Sequence, residues 1–389
     1  MARSIPKNLG LRCLDSILKI FCRFAGPYDP ELAKNPRRIL VANGAALGDV
    51  ILATAVLPVL KSAFPNADLG MLVGSGSKPI LADHPLLRWV HVVDHWKMDR
   101  SDRTGLAKFV RYRRTRATAL QEVRSVGYDI AIDLYYFFPN SILFLWQSGI
   151  PVRVAYTSAG FGPLLTHPTK WRLSDCSVVD YHADLIRRLG VAERHFSNLS
   201  PNIPHTPGGS QYPGSGFAAT EEYLVLHVGT GLAIKEWPVE KWRQVVERLA
   251  SSGRRLIFTG TGAKEASTIE LVIERMPNCI NLCNALNWQS FVSVIAGAKG
   301  VLGVDSVAGH VAAAVGTPCV VIAPGTANRY HWRPRAENCA VVVRPVPCSP
   351  CYRQYGCDGM ECVRMVTVGD VLSEVYRLFY APTNGAVTS

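Results

Sequence analysis

Four clusters of residues in this chain combine types and spacings that can do chemistry. The first is Gly44-Ala45-Ala46-Leu47-Gly48-Asp49, between an apolar strand pattern and an apolar helix pattern. Its two glycines suit a tight turn. Such a turn would leave Asp49 at the start of a helix, at the carboxyl end of a strand. A carboxylate placed there can take a proton from a substrate hydroxyl within hydrogen-bond reach. The same residue would also serve as a helix cap, kept ionised by the helix dipole. The second cluster is His227-Val228-Gly229-Thr230-Gly231 with Lys235-Glu236-Trp237-Pro238 behind it. Small residues after a strand leave room for phosphates, and free N–H groups at a helix start attract an anion. Lys235 would add a mobile point charge, and Pro238 suits the first turn of the next helix. An ordinary strand–loop–helix with a solvated lysine explains the same letters.

The third cluster, Gly303-Val304-Asp305-Ser306-Val307-Ala308-Gly309-His310, ends a strand in an acid and a hydroxyl and opens a helix of small residues. Ser306 and the N–H groups after it can hold a diphosphate, with the helix dipole assisting. Asp305 can accept hydrogen bonds from sugar or ribose hydroxyls, and Gly309 permits close approach of the backbone. The competing reading is a capped core helix with His310 as a hydrogen-bonded core histidine. The fourth cluster is Cys348-x2-Cys351-x5-Cys357-x4-Cys362, four soft ligands within fifteen residues. It predicts a structural zinc or iron knuckle, since four thiolates leave no open position for catalysis. A reduced cysteine-rich loop is the alternative. Between Lys97 and Arg124 there are also nine Lys/Arg against three acids, with Tyr112 among them. This run suits the phosphates of an anionic acceptor, or forms a solvated helix face.

The elements that must position these residues alternate strand and helix. Apolar strands are expected at 39–42, 69–73, 90–94, 129–134 and 152–156. A helix is expected from 49 to about 63, a basic one at 105–126, and shorter ones near 141–147 and 182–189. The alternation restarts with strands at 223–228, 255–259, 279–282, 300–304 and 319–322. Helices at 239–251, 265–275, 288–298 and 308–315 separate them. Continuous apolar strands between helices predict parallel sheets covered on both faces. Residues 205–222, HTPGGSQYPGSGFAATEE, read as a linker. The expected organisation is therefore a 1–36 extension, a Rossmann-like domain at 37–204, a linker at 205–222, a second Rossmann-like domain at 223–375 and a tail at 376–389. Ligands would gather beyond the carboxyl ends of the strands, in a cleft between the two domains.

A chain of 389 residues exceeds what one core usually supports. With 48% hydrophobic and 19% charged residues it is globular, and its net charge of +12 favours anionic partners. Leu11, Leu14, Leu18, Phe21 and Ala25 recur at the period of one helix face, either lying on an anionic leaflet or packed on the protein body. Asp15, Lys19 and Arg23 interrupt this segment, which argues against a secretory signal and for a cytoplasmic protein. In that compartment the eleven cysteines would not form structural disulfides.

In order and spacing, strand-GAALGD-helix with Thr54, HVGTGLAIKEWP, DSVAGHVAA and the tail CSPCYRQYGCDGMECVRMVTVGDV resemble glycosyltransferase family 9, the heptosyltransferases of lipopolysaccharide assembly. The resemblance covers roughly residues 37–375. It implies an α/β GT-B architecture, two doubly wound Rossmann-like domains facing across a cleft. It implies a metal-independent, inverting transfer of heptose from ADP-heptose to a lipopolysaccharide inner-core acceptor. Asp49 would be the base. Thr230, Gly231, Lys235, Asp305, Ser306, Gly309 and His310 would bind the donor, and Gly48, Arg111, Arg113 and Arg114 the acceptor. No cofactor would be needed for catalysis. The enzyme would work in the cytoplasm, at the cytoplasmic face of the inner membrane, with a glycolipid and not a nucleic acid as partner. Asn43 stands where members often carry Arg, and Ala55 where Pro often follows Thr54, so the acceptor is the open point. A protein acceptor, another activated sugar, or a non-catalytic nucleotide-sugar or glycolipid-binding module are the competing readings.

Overall fold

Short apolar runs rich in Val, Ile and Leu build two separate sheets. The computed structural model describes residues 15, 16, 18, 31–205, 222–274, 276, 278–328, 330–353 and 356–380. The chain divides into two units, Met1–Pro204 and His205–Ser389. Most of the 9–25 helix pattern and the interior of the expected linker lie outside the described residues.

The first unit holds strands β1 (Arg38–Ala42), β2 (Asp68–Val73), β3 (Leu87–Val92), β4 (Ile130–Asp133), β5 (Val152–Tyr156) and β6 (His167–Thr169). They form one parallel sheet in the order β3-β2-β1-β4-β5-β6. The second unit holds β7 (Tyr223–His227), β8 (Arg255–Phe258), β9 (Cys279–Asn281), β10 (Gly300–Val304), β11 (Cys319–Ile322) and β12 (Cys339–Val342). Its parallel order is β12-β11-β10-β7-β8-β9. Counted from its own first strand, each sheet runs 3-2-1-4-5-6, the doubly wound arrangement. Two of these strands do not stand out in the sequence reading, β6 and β12. Both are edge strands. β6 reads His-Pro-Thr, and its proline, lacking an N–H, is tolerated at an edge.

Helices follow the strands: α1 (Glu31–Lys34), α2 (Leu47–Ala53), α3 (Val56–Ala63), α4 (Gly105–Val126), α5 (Ile142–Gln147) and α6 (Val178–Arg187) in the first unit. The second unit adds α7 (Val239–Ser251), α8 (Ala263–Ile273), α9 (Trp288–Ala296), α10 (Val307–Val315), α11 (Glu361–Arg364) and α12 (Val368–Phe379). The single helix expected from 49 to 63 is in fact two, α2 and α3. Pro58 has no N–H to offer the Thr54 carbonyl, and its ring crowds that carbonyl. The backbone tightens there instead, with Thr54 N donating to both Val50 O (3.2 Å) and Ile51 O (3.1 Å). The break is pinned by the Thr54 hydroxyl, which donates to Ile51 O (2.7 Å) and accepts from Asn202 N (2.9 Å).

The cores sit where the sheets meet their helices. Ile39, Leu40, Val41 and Ala42 of β1 are fully buried, as are Trp242, Val245, Val246 and Leu249 of α7. The 223–375 boundary needs extending. α12 continues to Phe379, whose ring is buried against Gly300, with a Cβ at that glycine lying only 2.5 Å from the ring. Where the amino-terminal extension is described it packs on the first unit. Asp15 Oδ1 accepts from Phe161 N (2.7 Å), and Leu18 packs against Ile142, Ala155 and Leu164. No helix among the described residues is long and apolar enough to cross a membrane.

Candidate active site

In each sheet the strand order reverses between two neighbouring strands, and a crevice opens beyond their carboxyl ends. The reversal lies between β1 and β4 in the first unit, and between β7 and β10 in the second. The expected catalytic and donor residues fall at these two places.

In the second unit Lys235 closes a short 3-10 turn, Ala233–Lys235, after β7, and Asp305 follows β10. Gly303 pairs with His227 in the sheet, which brings the two loops side by side. Lys235 Nζ lies 2.8 Å from Asp305 Oδ2, both partly buried. Ser306 occupies the N-cap position of α10, yet its side chain makes no capping hydrogen bond. Its buried hydroxyl has no hydrogen-bond partner among the described residues, nor has Nδ1 of His310 one turn on. The first N–H groups of α10 therefore lack a side-chain cap, beside a lysine and two unsatisfied polar side chains. Burial pushes the His310 pKa down to about 4, the nearby Asp305 opposing and Lys235 reinforcing the shift. The imidazole is neutral at pH 7.

The loop that carries Lys235 is anchored. Trp237 Nε1 donates to Val366 O (3.1 Å), and Lys241 Nζ donates to the same oxygen (2.8 Å). Pro238 stands just before the first residue of α7, at the cap position instead of inside the first turn. Thr230 accepts a long hydrogen bond from Leu232 N (3.4 Å), shaping the loop in which Gly231 lies. Gly309 has a packing role: a Cβ there would come within 2.7 Å of Val321 and 3.1 Å of Pro334. Its missing side chain seats α10 on β11.

Sequence reasoning did not single out Glu265. Its carboxylate fills the space next to Gly229 and Gly260, accepts from Thr261 N (2.7 Å), and is pushed up in pKa chiefly by burial. A half-buried acid in the first turn of α8, beyond the end of β8, can accept further hydroxyl hydrogen bonds. Its signal was the glycine pattern itself, since glycine at 229 and 260 leaves room for a neighbour's side chain.

In the first unit Asp49 is the third residue of α2, and the N-cap is Ala46. The carboxylate is thus not the cap. Neither Gly44 nor Gly48 takes a positive φ, so the tight-turn argument for both glycines does not hold. The turn is held by Asn43, which is buried; its Oδ1 accepts from Ala45 N (3.1 Å) and its Nδ2 donates to Asp49 O (3.3 Å). The position where the family often has Arg therefore shapes the loop here. His182 of α6, fully buried, hydrogen-bonds the backbone of Leu52 and ties α2 to the body of the unit.

Beyond β4 the structure adds residues that went unnoticed. Asp133 is completely buried and sits beside Ala42 in the sheet register. Its Oδ1 accepts from Tyr135 N (3.2 Å) and its Oδ2 from Ser141 N (2.5 Å). Burial still pushes its pKa up to about 7 against those hydrogen bonds. Tyr135 and Tyr136 follow. Burial raises both phenols, and the charge of Asp49 raises them further, which puts the Asp49 carboxylate near both. Tyr136 stacks on Trp171 (5.1 Å between centroids, 14° between planes). The legible sign was Ile130-Ala131-Ile132-Asp133, an apolar strand closing in an acid just as β10 runs into Asp305.

The expected acceptor arginines lie on α4. Arg111 is braced inside the unit, with Nε on Asp94 Oδ2 (2.8 Å) and a terminal nitrogen on Ser75 Oγ (2.6 Å). Arg113 and Arg114 are exposed on α4 and make no ion pair among the described residues. The four cysteines of the expected metal knuckle face one another across a cavity. Cys348, Cys351, Cys357 and Cys362 line one cavity of about 260 Å³ with Ser349 and Glu361. No three His, Cys, Asp or Glu groups among the described residues stand together as metal ligands. The four cysteines are free thiols.

Residues 116–358 match the family model for glycosyltransferase family 9 (heptosyltransferase). The chain belongs to this family. It is a glycosyltransferase of the heptosyltransferase family, and both its units have the Rossmann-like topology of the GT-B class. Over 305 residues it is 22% identical to lipopolysaccharide heptosyltransferase 3 of Escherichia coli K12, covering 75% of this chain and 83% of that relative. A family 9 glycosyltransferase structure from Veillonella parvula superposes with a TM-score of 0.72 at 19% identity, over 89% of this chain and 98% of that one. The E. coli ADP-heptose lipopolysaccharide heptosyltransferase II gives 0.68 at 19% identity, over 88% and 98%. A more distant match is the iron-containing dodecameric glycosyltransferase TibC of E. coli, with a TM-score of 0.52 at 13% identity, over 91% and 81%.

Proposed function

We propose that this family 9 enzyme transfers heptose from ADP-heptose to a phosphorylated inner-core acceptor of lipopolysaccharide, with inversion at the anomeric carbon. The observation that carries the donor half is the pairing of Lys235 with Asp305 beside the Ser306 hydroxyl and His310 Nδ1, both without a hydrogen-bond partner among the described residues, and the start of α10 without a side-chain cap. A buried hydroxyl and imidazole without partners cost free energy unless something fills the place. A nucleoside diphosphate offers that partner, with oxygens for Lys235, Ser306 and the helix N–H groups. In this reading Thr230 and Gly231, on the loop before Lys235, contact the donor, and Asp305 is suited to sugar or ribose hydroxyls. A neutral His310 adds a hydrogen bond without a second positive charge.

Asp49 acts as base in this reading. Its carboxylate takes the proton of the acceptor hydroxyl as the oxygen attacks the anomeric carbon, and the bond to the diphosphate breaks on the opposite face. The electrons of that bond go to the departing diphosphate, where Lys235 and the α10 N–H groups stabilise the charge. Gly48, with no side chain, leaves the acceptor room beside Asp49. No metal enters any step. The reaction belongs at the cytoplasmic face of the inner membrane, where an anionic glycolipid would meet a chain of net charge +12. The names of the relatives favour heptose and ADP.

A thermal-shift panel of ADP-, UDP- and GDP-sugars tests the donor class directly. Stabilisation by ADP-heptose alone is the expected outcome. Equal stabilisation by UDP- or GDP-sugars would remove the adenine assignment, and no shift with any of them would remove the donor site.

A further inference from the structure

Helix α4 spans Gly105–Val126. Its buried residues are Ala119 and Val123, both in its second half. The first half projects, with Leu106 74%, Phe109 45% and Val110 57% exposed. Leu106, Val110 and Arg113 follow one another at i, i+4 and i+7 on one face, with Phe109 alongside. The helix is capped to its very start, since Thr104 Oγ1 accepts from Ala107 N (3.3 Å).

This apolar face is continuous with a second exposed group. Phe109 contacts Tyr112 (6.4 Å), Tyr112 contacts His95 (4.8 Å), and His95 contacts both Trp96 (5.8 Å) and Phe138 (6.3 Å). Trp96 and Phe138 are themselves 40% and 44% exposed. A monomer rarely leaves so much connected apolar surface bare without a use for it. The surrounding charge is net positive: Asp99 and Asp102 lie in the segment before α4, outnumbered by Lys97, Arg100, Arg103 and Lys108. Lys97 lies over both Trp96 (5.2 Å) and Phe138 (4.7 Å), and Arg113 and Arg114 stand exposed on the next turn of α4. Protein partners' interface cores deplete lysine. Aromatic rings rimmed by Lys and Arg beside an amphipathic helix instead match the headgroup level of an anionic bilayer.

We propose that the projecting half of α4 and the Trp96–Phe138 ridge form a docking surface for an anionic lipid bilayer. Leu106, Phe109 and Val110 enter the boundary between headgroups and acyl chains, while the arginine and lysine heads reach lipid phosphates. The surface runs toward the first unit's crevice. Phe138 lies on the loop after β4 that also carries Tyr135 and Tyr136. A lipid-anchored acceptor would then need to travel only a short way. The proposal goes beyond the transferase reading and stands without it.

The test uses the full chain with phosphatidylcholine vesicles, with and without phosphatidylglycerol, in a flotation assay. The wild type should float with the anionic vesicles only and be released by high salt. Leu106→Ser, Phe109→Ser and Val110→Ser combined should weaken binding at least about tenfold with an unchanged melting temperature. Leu106→Gln alone should have an intermediate effect, which keeps the test decisive if the triple variant folds poorly. Both variants should turn over a delipidated, water-soluble acceptor at the wild-type rate, so that a failure here is separable from a failure of the transferase reading. Three results would overturn the proposal: no wild-type binding to anionic vesicles, full binding by the variants (which would shift the contact to residues 9–25), or self-association through this face without lipid binding.

Discussion

The two units share one topology and carry opposite chemistry. Both sheets run 3-2-1-4-5-6, and both gather polar residues where the order reverses. Beyond β1 and β4 the first unit offers carboxylates and phenols: Asp49, Asp133, Tyr135 and Tyr136. Beyond β7 and β10 the second offers a lysine, an unbonded hydroxyl, a neutral imidazole and an uncapped helix start. The topology fixes where a ligand gathers, and the side chains at that point decide whether the place withdraws a proton or holds an anion. Even their titration is opposed. Burial raises the acid Asp133 to about 7 and lowers the base His310 to about 4, so both fully buried groups are neutral over part of the accessible pH range.

The largest expected effect comes from breaking the acidic side. Asp49→Asn keeps the shape of α2 but removes the proton acceptor, and steady-state turnover should fall by about 10²–10⁴-fold. Breaking the cationic side comes next. Lys235→Ala should lower kcat/KM for the donor by about 10²–10³-fold, with most of the loss in donor binding. A donor KM equal to wild type would refute the phosphate role.

Two smaller effects compare the buried titrating groups. His310 has a folded pKa below its unfolded value near 6.5. Its stabilising contribution is complete above that value and is lost as pH falls toward 4, at up to about 1.4 kcal/mol per pH unit. His310→Asn should therefore flatten part of the acid limb of stability measured by urea unfolding. Asp133 behaves the other way. Its folded pKa is raised from 3.8, so its contribution is complete below that value and is lost as pH rises through about 7. Asp133→Asn should flatten the fall between pH 4 and 7, while losing about 1–3 kcal/mol overall because one backbone N–H then faces an amide N–H₂. Parallel pH profiles for wild type and Asp133→Asn would contradict the assignment of that slope to Asp133.

Much of this was legible in the amino-acid sequence, and the gaps have identifiable causes. The inner strands β1, β2, β4, β5, β7, β8, β10 and β11 announce themselves as apolar runs because both faces are buried. The edge strands β6 and β12 do not: β6 is three residues with a proline, and an edge asks for less. Lys235 and Asp305 were both picked out, one from each motif, but nothing in spacing shows that the two side chains would pair with each other. Asp133 went unseen because a lone acid at the end of a strand carries no motif; its burial emerges only when α5 and the Ser141 N–H close over it. The break between α2 and α3 was written in Pro58, yet the apolar pattern continues across it, and periodicity alone hides the step. The cysteine spacing suggested a ligand set, whereas the fold turns those thiols toward a shared cavity without clustering them.

The division of labour between a proton-accepting unit and an anion-holding unit is tested most directly by calorimetry of ADP-heptose with Asp49→Asn and with Lys235→Ala, each run beside its turnover. The account requires that Asp49→Asn bind donor as tightly as wild type while turning over at least about a hundredfold more slowly, and that Lys235→Ala bind donor weakly. Wild-type turnover by Asp49→Asn, or wild-type donor affinity in Lys235→Ala, would contradict it.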